Sequence, residues 1–240
     1  MKSMSDISQL LNKFESVFGI SIADAKQGSE MWQVLKLGVI SASNVSKAIA
    51  KKGSETRNGY LADLCAQVCT GVFDEINSKY LDWGNQHEDA ARSCYEFSTG
   101  NIVKEIPFVF KDENFRVGCS PDGIVNESKG IEIKCPYNAA HFIRFLIEDK
   151  IKSEYIWQYQ FSLWVLNATH WDFVQYHPNM KKNPVKVLTV ERDEKKFQIF
   201  NELIPEFIKD MDEMLLQAGF KFGEQWERIG NFEKGEENAT

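Results

Sequence analysis

The sequence predicts an α/β fold in which helices pack on a central mixed β-sheet. Two short apolar runs within residues 115–134 flank a polar turn at residues 126–130, which is the pattern of a β-hairpin. After Glu105 the expected elements follow in the order strand, strand, helix, helix, strand. This order favours a mixed sheet over an all-parallel one. We therefore expect the hairpin to lie at the centre of a twisted sheet.

The other segments supply the helices and the outer strands. Apolar residues at helical spacing predict helices over residues 1–20, 28–37, 60–70, 79–98, 139–149, 153–167 and 194–217, and another beginning near Ser43 or Asn44. Apolar patterning predicts strands over residues 102–110, 171–176 and 185–190. Pro205 predicts a kink or a break in the last helix.

Length and composition indicate a single globular domain. The chain has 240 residues, and we assign the domain to residues 1–229 and expect a disordered acidic tail at 230–240. The net charge of −7 argues against a protein that coats DNA by bulk charge, although a local basic channel is compatible with it. Five scattered cysteines without a secretory leader predict a reduced, cytoplasmic protein. No apolar run approaches the roughly 20 residues that span a bilayer, so we expect no membrane segment.

Three charged residues at the hairpin form a pattern with a chemical use. Side chains alternate along a strand, so Glu132 and Lys134 share one face, opposite Asp122 on the neighbouring run. Two carboxylates can hold a hard divalent cation such as Mg²⁺, and a lysine can stabilise a developing anion. A Glu-x-Lys pair alone is more often a solvated strand face. The preceding Pro-Asp-Gly and the hairpin spacing favour the functional interpretation.

Other polar residues leave two interpretations open. Ser43 precedes an expected helix, where an N-cap is the simpler role and an anion site beside Lys36 is the alternative. Glu88 suits an exposed helical acid, and Gln160 suits a packed or surface glutamine on its helix. Sequence patterning alone assigns none of these residues to a site.

A family resemblance rests on these residues. Asp122, Glu132 and Lys134 match the Pro-Asp…(Asp/Glu)-x-Lys signature of the PD-(D/E)XK nuclease superfamily. Ser-Pro-Asp-Gly followed by Glu-Ile-Lys-Cys-Pro is similar to the lambda exonuclease branch, the YqaJ-like viral recombinases, and the resemblance extends over roughly residues 20–227. It implies a restriction-endonuclease-like core. It also implies a Mg²⁺-dependent exodeoxyribonuclease, with Mn²⁺ as a substitute ion, that degrades double-stranded DNA 5′→3′.

The resemblance also assigns the catalytic roles. Asp122, Glu132 and the Ile133 carbonyl would ligate the metal, and Lys134 would position the attacking water. Two further residues would orient metal-bound waters by their places in Trp-Gly-x-x-x-Glu and Tyr-x-x-Gln-x-Gln segments, namely Glu88 and Gln160.

The family's 5′-phosphate pocket matches Lys36, Ser43 and Ser120. The family has arginine at the position of Lys36, and lysine keeps the charge but loses the bidentate fork. The family further implies a homotrimeric ring around DNA, a single-strand annealing protein as partner, and phage-type recombination in a bacterial host cell. Two alternatives remain, which are an endonuclease of the same superfamily and a non-catalytic DNA-binding module of the same fold.

Overall fold

The computed structural model describes residues 1–73, 79–126, 129–227 and 229, and it arranges the strands in two sheets. The expected tail at 230–240 and residues 127–128 of the expected turn lie outside the described residues. The strands, in chain order, are β1 (Ile40–Ser41), β2 (Val103–Lys104), β3 (Val109–Phe110), β4 (Val117–Cys119), β5 (Gly123–Val125), β6 (Lys129–Lys134), β7 (His170–Tyr176) and β8 (Val185–Glu191).

The helices surround these sheets. They are α1 (Met4–Phe18), α2 (Glu30–Lys36), α3 (Val45–Ala48), α4 (Glu55–Thr70), α5 (Lys79–Thr99), α6 (Ala139–Glu148), α7 (Ser153–Leu166) and α8 (Glu194–Gln217), and a 3₁₀ turn at Ala42–Asn44 precedes α3. Local residues explain several ends: Ser3 forms a capping box for α1, and left-handed Gly71 ends α4. The helix α8 runs unbroken through Pro205, so the expected break does not occur.

The larger sheet is mixed and has the strand order β2-β5-β6-β7-β8. Its central strand β6 pairs antiparallel with β5 and parallel with β7, and β7 pairs antiparallel with β8. The predicted α/β fold class with a mixed sheet is thereby confirmed. In the register of β6 and β7, Glu132 pairs with Phe173 and Lys134 pairs with Gln175. These four side chains point to one face of the sheet.

The smaller sheet has the order β1-β4-β3, which corrects the expected extent of the hairpin. Residues 117–119 pair with β1 and β3, while the hairpin itself consists of β5 and β6. The chain therefore passes from one sheet to the other at Ser120–Asp122. Non-local pairing with β1 decides the place of β4, and hairpin spacing carries no information about it. Asp122 consequently lies at the junction of the two sheets.

The helix α7 fixes the relative position of these layers. Residues 159–166 of α7 are all buried, and the main core cluster contains aromatic side chains from α7, β7 and α8. Phe161, Phe173 and Phe200 are fully buried within it. Burial of each contributes roughly 1.5–3 kcal/mol, so α7 is held firmly against the sheet that carries β6.

Candidate active site

Asp122 is held against β6 by two backbone hydrogen bonds. Its own N–H donates to the Ile131 carbonyl at 3.1 Å, and its Oδ2 accepts from the Ile133 N–H at 2.5 Å. The sheet junction thus brings this carboxylate beside the strand that carries Glu132. Asp122, Glu132 and Lys134 line one cavity of about 730 Å³.

Glu132 is 2% exposed and is held by two donors. Gln158 Nε2 donates to its Oε1 at 2.7 Å, and Lys134 Nζ lies 2.5 Å from the same oxygen. Glu132 and Lys134 share a strand face, so the alternation expected from sequence brings them together. The lysine compensates the charge of this one carboxylate.

Asp122 has less compensation, and its pKa shows this. Burial, followed by the charges of Glu132 and Glu88, raises the pKa of Asp122 well above its usual value. Burial would lower the pKa of Lys134, but the charges of Glu132 and Asp122 outweigh it, so the pKa is raised and the lysine stays charged. The carboxylates of Asp122 and Glu132 therefore repel each other within this cavity.

A divalent cation would relieve this repulsion, and the donor atoms suit one. Carboxylate oxygens are ligands that Mg²⁺ prefers, and Mg²⁺ commonly uses one or two carboxylates and keeps several waters. In the described part of the chain, no group of three or more His, Cys, Asp or Glu side chains is placed to hold a metal. Asp122 and Glu132 are two of the carboxylates that line this cavity and could supply such ligands.

Glu88 enters the same cavity from α5. Arg92, one turn later on α5, donates to Glu88 Oε1 at 2.8 Å. Burial raises the pKa of Glu88, while the Arg92 charge lowers it. The pairing of Arg92 was not predicted, although its i,i+4 spacing from Glu88 is a recognisable signal for an ion pair.

The expected role of Gln160 needs correction. Its Nε2 donates to the Glu191 carbonyl at 2.7 Å, and its Oε1 accepts from the Asp193 N–H at 2.8 Å. Gln160 therefore ties α7 to the segment between β8 and α8. Gln158 is the glutamine that lines the cavity and contacts Glu132. Residues two apart on a helix point about 200° apart, so only one of this pair can face the carboxylates.

The three residues expected to bind the 5′-phosphate line the same cavity as the carboxylates. These residues are Lys36, Ser43 and Ser120. Trp32 Nε1 donates to Ser120 Oγ at 2.8 Å, and Lys36 Nζ lies 3.4 Å from the centroid of the Trp32 ring. Trp32 and Lys36 are four residues apart on α2, so one helix face presents both. The structure therefore brings these residues together with the carboxylates.

Burial changes the pKa of one of these three residues. It lowers the pKa of Lys36 to about 8. Ser43 is exposed and caps no helix, since the residues at the helix starts here are Ser41 and Asn44. Its Oγ lies 3.3 Å from Ser41 Oγ, which adds a hydroxyl that was not predicted to line the cavity.

Two further contacts complete the cavity wall. Gln27 Nε2 donates to the Pro121 carbonyl at 2.7 Å and thereby ties the segment before α2 to the sheet junction. Tyr155 on α7 places its ring centroid 5.4 Å from Lys134 Nζ. Neither contact has a sequence signal, because both join residues that are far apart in the chain.

The sequence model of the YqaJ-like viral recombinase domain matches residues 31–170. The chain belongs to the YqaJ-like viral recombinase family. The match covers more than half of the chain and includes Lys36, Glu88, Asp122, Glu132 and Lys134. A protein of Escherichia coli (strain K12) named ExoD is 46% identical over 78 residues, which are 32% of this chain and 90% of that protein.

Three solved structures similar to this YqaJ-like chain are those of exonucleases. The crystal structure of LHK-Exo in complex with dAMP is 30% identical with a TM-score of 0.70, covering 80% of this chain and 98% of that one. A structure of the same alkaline exonuclease from Laribacter hongkongensis has a TM-score of 0.68 at 29% identity, with the same coverage. A phage-related exonuclease from Haemophilus somnus, at 15% identity and a TM-score of 0.63 over 75% of this chain and 96% of that one, shares the fold.

These likenesses confirm the suspected family and the nuclease-like core. In the described part of this YqaJ-like protein, no helix is both long and apolar enough to cross a membrane.

Proposed function

We propose that this protein is a Mg²⁺-dependent exodeoxyribonuclease that degrades one strand of linear double-stranded DNA in the 5′→3′ direction. The observation that carries the proposal is the single cavity that holds both residue sets. Asp122, Glu132 and Lys134 line this cavity together with Lys36 and Ser120. A pocket for a terminal phosphate beside a hydrolytic centre suits an enzyme that works from DNA ends. The exonucleases among its relatives support this assignment.

The residues have complementary roles in phosphodiester hydrolysis. Asp122, Glu132 and the Ile133 carbonyl would hold Mg²⁺ or a substitute Mn²⁺, which supplies an activated water and neutralises phosphate charge when bound. Lys134 is the half-buried cation that stabilises the attacked phosphate. Glu88 orients water at the edge of the carboxylate pair.

Other residues orient the Glu132 carboxylate and hold the DNA end. Gln158 fixes the carboxylate of Glu132 through its hydrogen bond to Oε1. Lys36, Ser43 and Ser120 hold the 5′-phosphate, which sets the bond to be cut.

Membership of the family supports a proposal for assembly and biological context. We assign residues 1–229 to one nuclease domain that works as a homotrimer enclosing DNA. A ring would retain a protein of net charge −7 on its substrate by topology. The product, a 3′ single strand, would pass to a single-strand annealing protein in phage-type recombination within the bacterial cytoplasm.

The experiment that tests the activity uses linear duplex DNA with Mg²⁺ and compares 5′-phosphoryl with 5′-hydroxyl ends. The wild type should release mononucleotides from the 5′-labelled strand end first, and faster from phosphorylated ends. Lys134→Ala should abolish release, whereas Lys104→Ala, an exposed lysine on the short strand β2, should not. Release from 3′ ends first would refute the polarity, and equal rates on both 5′ ends would refute the phosphate pocket.

The same assay separates the two alternatives. An end-dependent enzyme cannot begin on covalently closed circular DNA, so cleavage of circles would favour an endonuclease. Metal-dependent release of nucleotides excludes a non-catalytic binding module. The ion pair of Lys134 with Glu132 inside the cavity favours catalysis over binding alone.

A further inference from the structure

Gln175 is a buried polar residue that lines the cavity, and the proposed function gives it no role. It lies on β7, is 6% exposed, and lines the same cavity as the carboxylates. Its Oε1 is buried and has no hydrogen-bond partner among the described residues. Buried side-chain oxygens nearly always accept a hydrogen bond, so an orphaned one inside a functional cavity indicates an absent or rearranged donor.

The neighbouring strand β6 carries a hydrogen-bond donor, the ammonium group of Lys134. Lys134 and Gln175 are paired residues in the parallel ladder of β6 and β7. Such strands lie about 4.8 Å apart, and paired side chains stand on the same face. The Lys134 ammonium has three hydrogen-bond donors, and the ion pair that the structure shows for it goes to Glu132 Oε1 at 2.5 Å. Lys134 therefore has donors to offer and Gln175 has an acceptor to fill.

The other registered neighbour of Gln175 is not among the described residues that line the cavity. Lys186 on β8 pairs with Gln175 in the antiparallel ladder. Its Nζ forms an ion pair with Asp149 Oδ1 at 2.7 Å. Lys134 is thus the neighbouring lysine that shares the cavity with Gln175.

We propose that Gln175 positions Lys134 in the working site, by accepting a hydrogen bond from Nζ at Oε1. This inference rests on the proposed nuclease function. When Glu132 gives its oxygens to the cation of the site, Lys134 loses part of its present partner. Gln175 then offers a buried oxygen on the same face and keeps the ammonium directed at the substrate phosphate. Gln175 is a positioning residue, since it acts through Lys134.

The test compares Gln175→Met, which removes the acceptor at similar volume, with Gln175→Glu, which keeps an oxygen at the same reach. Gln9→Met is the matched control, because Gln9 is an exposed glutamine on α1. Each variant is measured for its melting temperature with and without Mg²⁺, and for kcat and KM on 5′-phosphorylated linear duplex. The melting temperature gives a readout that is independent of cleavage.

We expect Gln175→Met to melt at or above the wild type without Mg²⁺, because it removes an orphaned buried oxygen. It should gain less in melting temperature from Mg²⁺ than the wild type does. Its kcat should fall about tenfold while KM changes less than about threefold, the pattern of an interaction made in the transition state. Gln175→Glu should recover most of kcat, and Gln9→Met should match the wild type.

The inference is wrong if Gln175→Met equals the wild type in both kcat and the Mg²⁺-dependent gain in melting temperature. It is also wrong if Gln175→Glu is as impaired as Gln175→Met while its melting temperature still rises with Mg²⁺, since an acceptor oxygen at the same reach would then not suffice. A wild type that neither cleaves DNA nor is stabilised by Mg²⁺ overturns the proposed function and this inference together. If the wild type cleaves DNA and is stabilised by Mg²⁺ but Gln175→Met equals it in both respects, only this inference is overturned.

Discussion

Gln158 and Glu132 meet inside the cavity, with Gln158 Nε2 2.7 Å from Glu132 Oε1. Lys134 contacts the same oxygen, so two donors from different elements fix this carboxylate. The helix α7 is buried along residues 159–166, which makes Gln158 a rigidly mounted donor. A carboxylate that must hold a cation benefits from such a fixed orientation, as ligands generally do from their own hydrogen-bond partners.

The two glutamines of α7 should therefore respond differently to substitution. Gln158→Leu should lower kcat about 10- to 100-fold, the usual range for the loss of a group that orients a metal ligand. Gln160→Leu should leave kcat near the wild-type value and lower the free energy of unfolding by about 1–3 kcal/mol, because it removes two hydrogen bonds, to the Glu191 carbonyl and from the Asp193 N–H. Steady-state kinetics and urea unfolding of both variants check this. A larger kcat loss in Gln160→Leu than in Gln158→Leu would contradict it.

Replacing Asp122 should separate stability from activity. Its raised pKa means that the folded protein holds this proton more tightly than the unfolded chain does. Between the unfolded and the folded pKa the native state binds more protons, so stability falls as pH rises through that window. Asp122→Asn removes the repulsion from Glu132 and can still accept from the Ile133 N–H.

Asp122→Asn should accordingly be more stable than the wild type at neutral pH without metal, and the difference should shrink towards pH 4. It should also lose nuclease activity and the stabilisation by Mg²⁺. Thermal melts over a pH series, with and without Mg²⁺, measure both effects. A variant that is less stable than the wild type at neutral pH would refute the electrostatic account of the site.

The chemistry of the site could be predicted from the sequence because its main residues are local. Glu132 and Lys134 lie on β6, where strand alternation fixes their relative directions, and Asp122 immediately precedes the hairpin partner β5. The mixed sheet could also be predicted, because the order of strands and helices along the chain indicates it. Each of these features depends on neighbours in the chain.

The expectations from sequence that proved wrong concern contacts between residues that are far apart in the chain. Gln158 and Gln160 could not be distinguished by pattern, since the face of α7 that meets β6 is decided by tertiary packing. The placement of residues 117–119 in the smaller sheet depends on pairing with Ile40 and Ser41, far away in sequence. The orphaned oxygen of Gln175 likewise has no sequence signal, because alternation along β7 predicts only its face.

The preference for phosphorylated ends should depend on pH through Lys36. Burial lowers the pKa of Lys36 to about 8, so the free protein loses this charge as pH rises through about 8. The ratio of kcat/KM for 5′-phosphoryl over 5′-hydroxyl ends should therefore fall above that pH, since kcat/KM reports the free enzyme. Lys36→Arg stays charged across the range and should keep its ratio constant. Taking the ratio removes pH effects on the hydrolytic step itself. Identical profiles for wild type and Lys36→Arg would rule out Lys36 as the phosphate contact.

Two glycines near the site should respond to alanine with opposite signs. A Cβ at Gly130 would lie 2.1–2.5 Å from atoms of the Trp171 ring, and Trp171 is fully buried, so β6 and β7 would have to separate. Gly130→Ala should destabilise the protein by roughly 1–3 kcal/mol or more and should also lower kcat, because Glu132 lies two residues away on the same strand. A Cβ at Gly84 in α5 meets no described atom within 4 Å, so Gly84→Ala should stabilise the fold by about 1 kcal/mol. Urea unfolding of both variants measures the two signs, and a stable, fully active Gly130→Ala would show that the sheet beside Glu132 tolerates separation.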